Sequence, residues 1–248
     1  MSTAAPPARR VAAQTAMELR LTLRNGENLV VTFGIPLLLL VFFSLVDVLP
    51  TGGGSAVAFL VPGILALSIM SSALVALGIA TGFERFYLVL KRLGATPLRR
   101  RELVAAKVAA VLAVEVLQVS VIVTVAALGL GYRASAVRPG LLLAGVVLGT
   151  CAFAGLGLAM AGRLRAVATL ALANALYLVL LLVSGIAFPL DRLPATLAAA
   201  ARLLPSTALA EVFRSALGGG DAAAGPLVVL ACWAAGTVTL AARTFRWE

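Results

Sequence analysis

Six runs of apolar residues, divided by short polar stretches, dominate the chain. They cover 29–49, 56–82, 103–131, 140–162, 166–188 and 226–244. A helix rises about 1.5 Å per residue, so about 20 apolar residues cross a hydrocarbon core. Each run therefore predicts a membrane-spanning helix, and the pattern as a whole predicts an all-α membrane protein built as one domain over 1–248. Pro36 and Pro62 fall inside the first two runs, where a membrane helix tolerates proline if its neighbours satisfy the freed carbonyl. Ala56-Val57-Ala58 resembles a cleavage site, but the first run is longer than a signal peptide's core of about 7–15 residues. It reads as a retained span. Ahead of it, 9–24 has helical spacing. Arg9, Arg10, Arg20 and Arg24 fall in one sector, with Val11, Leu19 and Leu23 on the other side. This predicts a helix lying in the membrane interface, its basic face towards headgroups. The alternative is an extended tail.

The polar stretches are unequal. The connector 83–107 carries seven of the twenty basic residues: Arg85, Lys91, Arg92, Arg99, Arg100, Arg101 and Lys107. Phe86, Leu90 and Leu93 follow i, i+4, i+7 spacing and predict one apolar face of a short helix, which Gly94 and Pro97 end. Such a helix between two spans is a mechanical handle. The plainer alternative is a solvated basic loop that only fixes topology. With the connector inside, fifteen basic residues lie on the inner side: Arg9, Arg10, Arg20, Arg24, those seven, Arg163, Arg165, Arg243 and Arg246. Five lie outside: Arg133, Arg138, Arg192, Arg202 and Arg214. Lys and Arg resist translocation, so both termini and the connector are expected in the cytoplasm. The outer connection 189–225 holds two helical patches, 195–204 and 207–217. The second groups Leu209, Val212, Phe213 and Leu217.

Composition narrows the chemistry. Apolar residues make up 62% and charged ones 12%. The net charge of +10 is spread over the ends of apolar runs, a topology signal and not a nucleic-acid face. The chain has no histidine, which removes Ser-His and Cys-His catalysis and histidine metal sites. Cys151 and Cys232 lie inside apolar runs as packed thiols. Neither Lys91 nor Lys107 precedes Ser or Thr, so there is no phosphate-cradling GxxxxGK[ST] loop. ATP and Mg, if used, belong to a partner. Gly218-Gly219-Gly220-Asp221 matches the GxGD of intramembrane aspartyl proteases. Asp47 and Asp191, the nearest second carboxylates, stand at span ends, unlike a close dyad in a low-dielectric site. No catalytic set and no metal site is expected. Arginine greatly outnumbers lysine and alanine is abundant, which suits a GC-rich bacterial genome.

Inside the spans, Gly145 and Gly149 form a GxxxG pair that admits another helix closely, with packing inside the chain as its ordinary explanation. Glu115 is a lone carboxyl deep in the third run, costing about 2.5–3.5 kcal/mol to insert on translocon scales. It is expected to face the interior of the bundle, or of a pair of such bundles, and not lipid. Gln118, three residues on, shares its face, and Asn174 in the fifth run is a possible partner. Two roles stay open for Glu115, a polar patch along a substrate path and a structural pair.

The connector resembles that of type-2 ABC exporter permeases, whose motif runs E-R-x-x-G-T-L-x-R-L-x-A-T-P. Glu84, Arg85, Leu90, Lys91, Arg92, Leu93, Ala95, Thr96 and Pro97 fill its positions, followed by Glu102, Leu103 and Lys107. Leu88 and Val89 stand where the motif has Gly-Thr. A second match runs from Ser184 through Pro189 and Leu190 to Leu193-Pro194, then Pro205-Ser206-Thr207 and Glu211 to Arg214. The resemblance spans nearly the whole chain. It implies a pair of six-span permeases, identical or related, with two ABC ATP-binding subunits gripping the connector helices at Glu84 to Pro97. It also implies that the segment holding Pro189, Pro194, Pro205, Glu211 and Arg214 re-enters the outer leaflet, and that a small amphipathic molecule such as a drug, antibiotic or lipid is exported across a bacterial cell membrane. A secondary transporter or channel using Glu115 as a proton or cation site is the alternative. Internal repeats, which often mark that class, are not evident.

Overall fold

A computed structural model describes residues 5–46, 56–186, 190, 193–218 and 223–247. Every regular element among them is a helix. In order these are α1 (Pro7–Arg24), α2 (Gly26–Leu45), α3 (Ala56–Ile69), α4 (Leu77–Phe86), α5 (Val89–Gly94), α6 (Arg100–Gly129), α7 (Pro139–Ala161), α8 (Ala166–Val183), α9 (Ala195–Ala201), α10 (Pro205–Gly218) and α11 (Ala224–Thr244). A π-helical stretch, Met70–Ala76, joins α3 to α4 in one continuous rod. Six of these units are long and apolar enough to cross a membrane: α2, the α3–α4 rod, α6, α7, α8 and α11. They match the six runs, with shifted ends. The second span continues to Phe86, four residues past its predicted end, and the third starts at Arg100. The fifth stops at Val183. The predicted outer turn 50–55 and Pro189 lie outside the described residues.

The bundle is organised around α7, and its glycines explain why. The built position of a methyl on Gly157 lies 2.7 Å from the Leu74 carbonyl oxygen and 3.3 Å from Gly78 Cα. Bare backbone is what lets the α3–α4 rod approach there. On another side, Gly145 meets Val212 and Phe213, and Gly149 meets Leu209, so the GxxxG pair receives α10 of the same chain. Gly155 faces Thr237 of α11, whose hydroxyl reaches the Ala152 carbonyl across the seam at 3.0 Å.

The outer connection is folded against this core. α10 buries Leu209, Val212, Phe213 and Leu217, the four apolar residues of the predicted patch, between α3, α7 and α11. Pro194 caps α9 and Pro205 opens α10. Arg214 Nη2 donates to the Gly185 carbonyl at 2.5 Å, and its guanidinium stands 5.1 Å from the Phe59 ring centroid. Glu211 is half-buried. The outward faces of α2 and α8 remain apolar and exposed, including Val30, Ile35, Leu38 and Phe42 on one and Val167, Leu178, Val179 and Leu182 on the other.

Candidate functional site

The connector departs from its expected form. α4 carries the second span through Phe86, and the helix then breaks. Leu88 adopts φ 61°, a left-handed conformation that costs an L-residue about 1–2 kcal/mol. It is the position at which the type-2 motif has glycine, the residue for which this conformation is free. α5 restarts at Val89 in a new direction. Phe86, Leu90 and Leu93 therefore do not share one face: Leu90 is fully buried, Leu93 is half-buried and Phe86 is 66% exposed. The exposed apolar tip consists of Phe86, Tyr87, Leu88 and Val89. Tyr87 sits edge-on to Phe86 at 5.2 Å and stacks with Phe83 at 6.2 Å. Sequence periodicity missed Tyr87, Leu88 and Val89. The available signal was five consecutive large apolar residues, Phe86 to Leu90, within a basic connector, more than one face of a short helix can hide. Gly94 ends α5 and lies against the Trp247 ring of the C-terminal tail. Arg92 and Pro97 are exposed, and Lys91 makes contacts of its own.

Glu84 and Arg85, expected at a partner, are engaged within the chain. Lys107 is 1% exposed and stands between two carboxylates: Glu84 at 2.8 Å and Glu18 of α1 at 3.0 Å. Arg85 Nη2 donates to the Leu164 carbonyl in the α7–α8 turn at 2.6 Å. A second ion pair joins α1 to α6. Arg10 donates to Glu102 from Nε at 3.0 Å and Nη2 at 2.5 Å, while the Arg99 backbone N–H donates to the same carboxylate at 2.9 Å. Arg10 is held more firmly protonated by this hydrogen bond. α1 is therefore a helix packed along α6 through half-buried Val11, Gln14, Thr15 and Glu18. Its expected basic face is split, since Arg10 turns to Glu102 while Arg9, Arg20 and Arg24 stay exposed. Both ends of the connector are thus anchored, at Glu84 and at Lys107.

Next to the Lys107 cluster, α1, α2, the second span and α6 enclose a cavity of about 200 Å³. Asn25, Asn28, Thr32, Ser72, Glu18 and Glu84 give it polar walls, and Leu77, Val111 and Val114 give it apolar ones. Gln118 bonds two of its lining residues, donating to the Thr32 carbonyl at 2.7 Å and accepting from Ser72 at 3.3 Å. The expected grouping of Gln118 with Glu115 and Asn174 does not form. Glu115 is fully buried and accepts from the Thr150 hydroxyl of α7. Asn174 is exposed on α8 and donates to its own Leu170 carbonyl at 2.8 Å. A 3.6-residue period aligns Glu115 and Gln118 only roughly. Three positions rotate the side chain by about 60°, enough to send them to different neighbours.

Six apolar helices, the glycine-rich α7 among them, define a multi-pass helical membrane protein. Residues 10–217 match the family model for the ABC-2 type transporter. The chain belongs to that family, and it is an ABC transporter permease. A search of curated proteins gave no match.

Proposed function

We propose that this chain is the membrane half of an ATP-driven exporter in a bacterial cell membrane, with both termini and the connector in the cytoplasm. Two copies of an ABC ATP-binding subunit hold ATP and Mg, hydrolyse the nucleotide and grip the connectors of two paired permeases, identical or homologous. The permease itself contributes no catalytic residue. One observation carries this reading: an exposed apolar tip, Phe86 to Val89, held between two spans whose bases are tied together by Lys107 and Glu84. Desolvating aromatic side chains in a partner's pocket supplies binding energy, and the ion pair makes a push on the tip a push on both spans. Family membership supports the ATP-binding partner. The cavity beside Lys107, with polar and apolar walls, suits a small amphipathic substrate drawn from the inner leaflet. No observation favours a proton or cation pathway through Glu115, which is sealed between α6 and α7.

The test is a Phe86→Asp, Tyr87→Asp double variant. Both residues are exposed, so membrane insertion and yield should hold. Co-purification of the ATP-binding subunit should fall at least tenfold, with substrate-stimulated ATP hydrolysis lost. Normal co-purification and normal coupled hydrolysis would refute the docking role.

A further inference from the structure

A second feature at this end of the molecule shares Phe86 and Leu88 with the tip and adds charges that the tip lacks. Between α4 and the start of α8 runs an open groove of about 640 Å³. Its walls are Phe83, Phe86 and Val167, and two arginines, Arg85 and Arg165, border it. Arg85 is fixed by its bond to Leu164, which uses one of five guanidinium donors. Arg246 of the C-terminal tail is close enough for its charge to act on Arg85. Two guanidinium groups therefore border the groove, with the charge of Arg246 acting on one of them from the tail, and among the described residues no acidic side chain lines it. Like charges held together at a membrane surface are stabilised by an anion placed among them. The groove is also continuous with the exposed apolar face of α8, through Val167 to Leu170 and Leu178. An anion with an apolar extension fits both features, and a free phosphate or an acidic side chain fits only the first.

We propose that this groove is a binding site for an anionic phospholipid. Its phosphate pairs with Arg85 and Arg165, because guanidinium groups match phosphate oxygens in fork geometry. One acyl chain lies along Phe83 and Val167 and continues down α8. The lipid would fill the space between the second and fifth spans beside the docking tip, and so brace it. The proposal needs only the membrane setting and is independent of the ATP-binding partner.

The test is native mass spectrometry of the full-length permease alone, in mild detergent, with equal amounts of phosphatidylglycerol and phosphatidylcholine of the same acyl chains. Wild type should retain phosphatidylglycerol at least fivefold over phosphatidylcholine. An Arg165→Glu, Arg246→Glu variant should bring the ratio near one. Both residues are exposed, and the Arg85–Leu164 bond is left in place. Arg133→Gln, a basic residue in the α6–α7 turn, should keep the wild-type ratio. The idea is overturned if wild type shows no preference or if the charge reversals leave the preference intact. It is also overturned if those reversals release the ATP-binding subunit from the assembled transporter with lipid retention unchanged, which would assign the groove to that subunit.

Discussion

Leu88 holds a left-handed backbone conformation that glycine adopts without strain. Its side chain is 53% exposed, so little packing offsets the cost. Leu88→Gly should therefore stabilise the folded permease by about 1 kcal/mol, less the chain entropy that glycine adds to the unfolded state. Thermal unfolding in detergent reads this as a small rise in midpoint. A fall of several degrees would mean that the leucine side chain is itself holding the turn. The same variant should weaken partner binding, since the tip loses an apolar side chain, which separates stability from docking at one position. The break at Leu88 was not legible from periodicity. A leucine in a helical run gives no local reason to expect positive φ, and the clue lay in its departure from the motif's glycine. Glu115 shows a different limit. Its burial followed from the cost of an exposed carboxyl in a span, but its partner, Thr150, is 35 residues away and no spacing rule points to it.

At the level of elements, the spans were the most legible feature, because twenty apolar residues have few places to go except a bilayer or a core. The segment 189–225 was partly legible. The apolar stripe of α10 identified a helix with a buried face, and the structure supplied the receiving surface, the glycines of α7. The ties between elements were hidden. Glu18, Glu84 and Lys107 come from three helices; Glu84 and Lys107 read as positions of the connector motif, and nothing in the sequence singled out Glu18. Together they join α1, the second span and α6 around a nearly sealed ammonium. Replacing Lys107 by leucine would leave two carboxylates in a partly buried site without their counter-charge, which costs about 3–5 kcal/mol when one partner of a buried pair is removed. Lys107→Leu should sharply lower the unfolding midpoint in detergent, and release of α1 from α6 should appear as faster amide exchange over residues 11–22. Wild-type stability together with wild-type exchange would show that the cluster contributes nothing to the anchoring of the connector.

On the scale of the whole molecule, a six-span unit presents distinct surfaces: apolar faces on α2 and α8, a cavity with polar and apolar walls between the N-terminal helix and three spans, and an aromatic tip. The fifteen-to-five distribution of basic residues is the ground for expecting the tip in the cytoplasm, membership of the ABC-2 family implies an ATP-binding subunit, and contact between the two is the proposal made above. The central claim is that contact. A photoreactive amino acid at position 87, irradiated in intact cells expressing the full-length permease, tests it directly. Tyr87 is 65% exposed, so the probe should be tolerated. The expected result is a covalent adduct with an ABC ATP-binding subunit, identified by mass spectrometry and absent when the probe is moved to Val137 in the α6–α7 turn. A probe at 87 that captures no ATP-binding subunit, or that reacts with a membrane-impermeant reagent added outside the cell, would contradict the account.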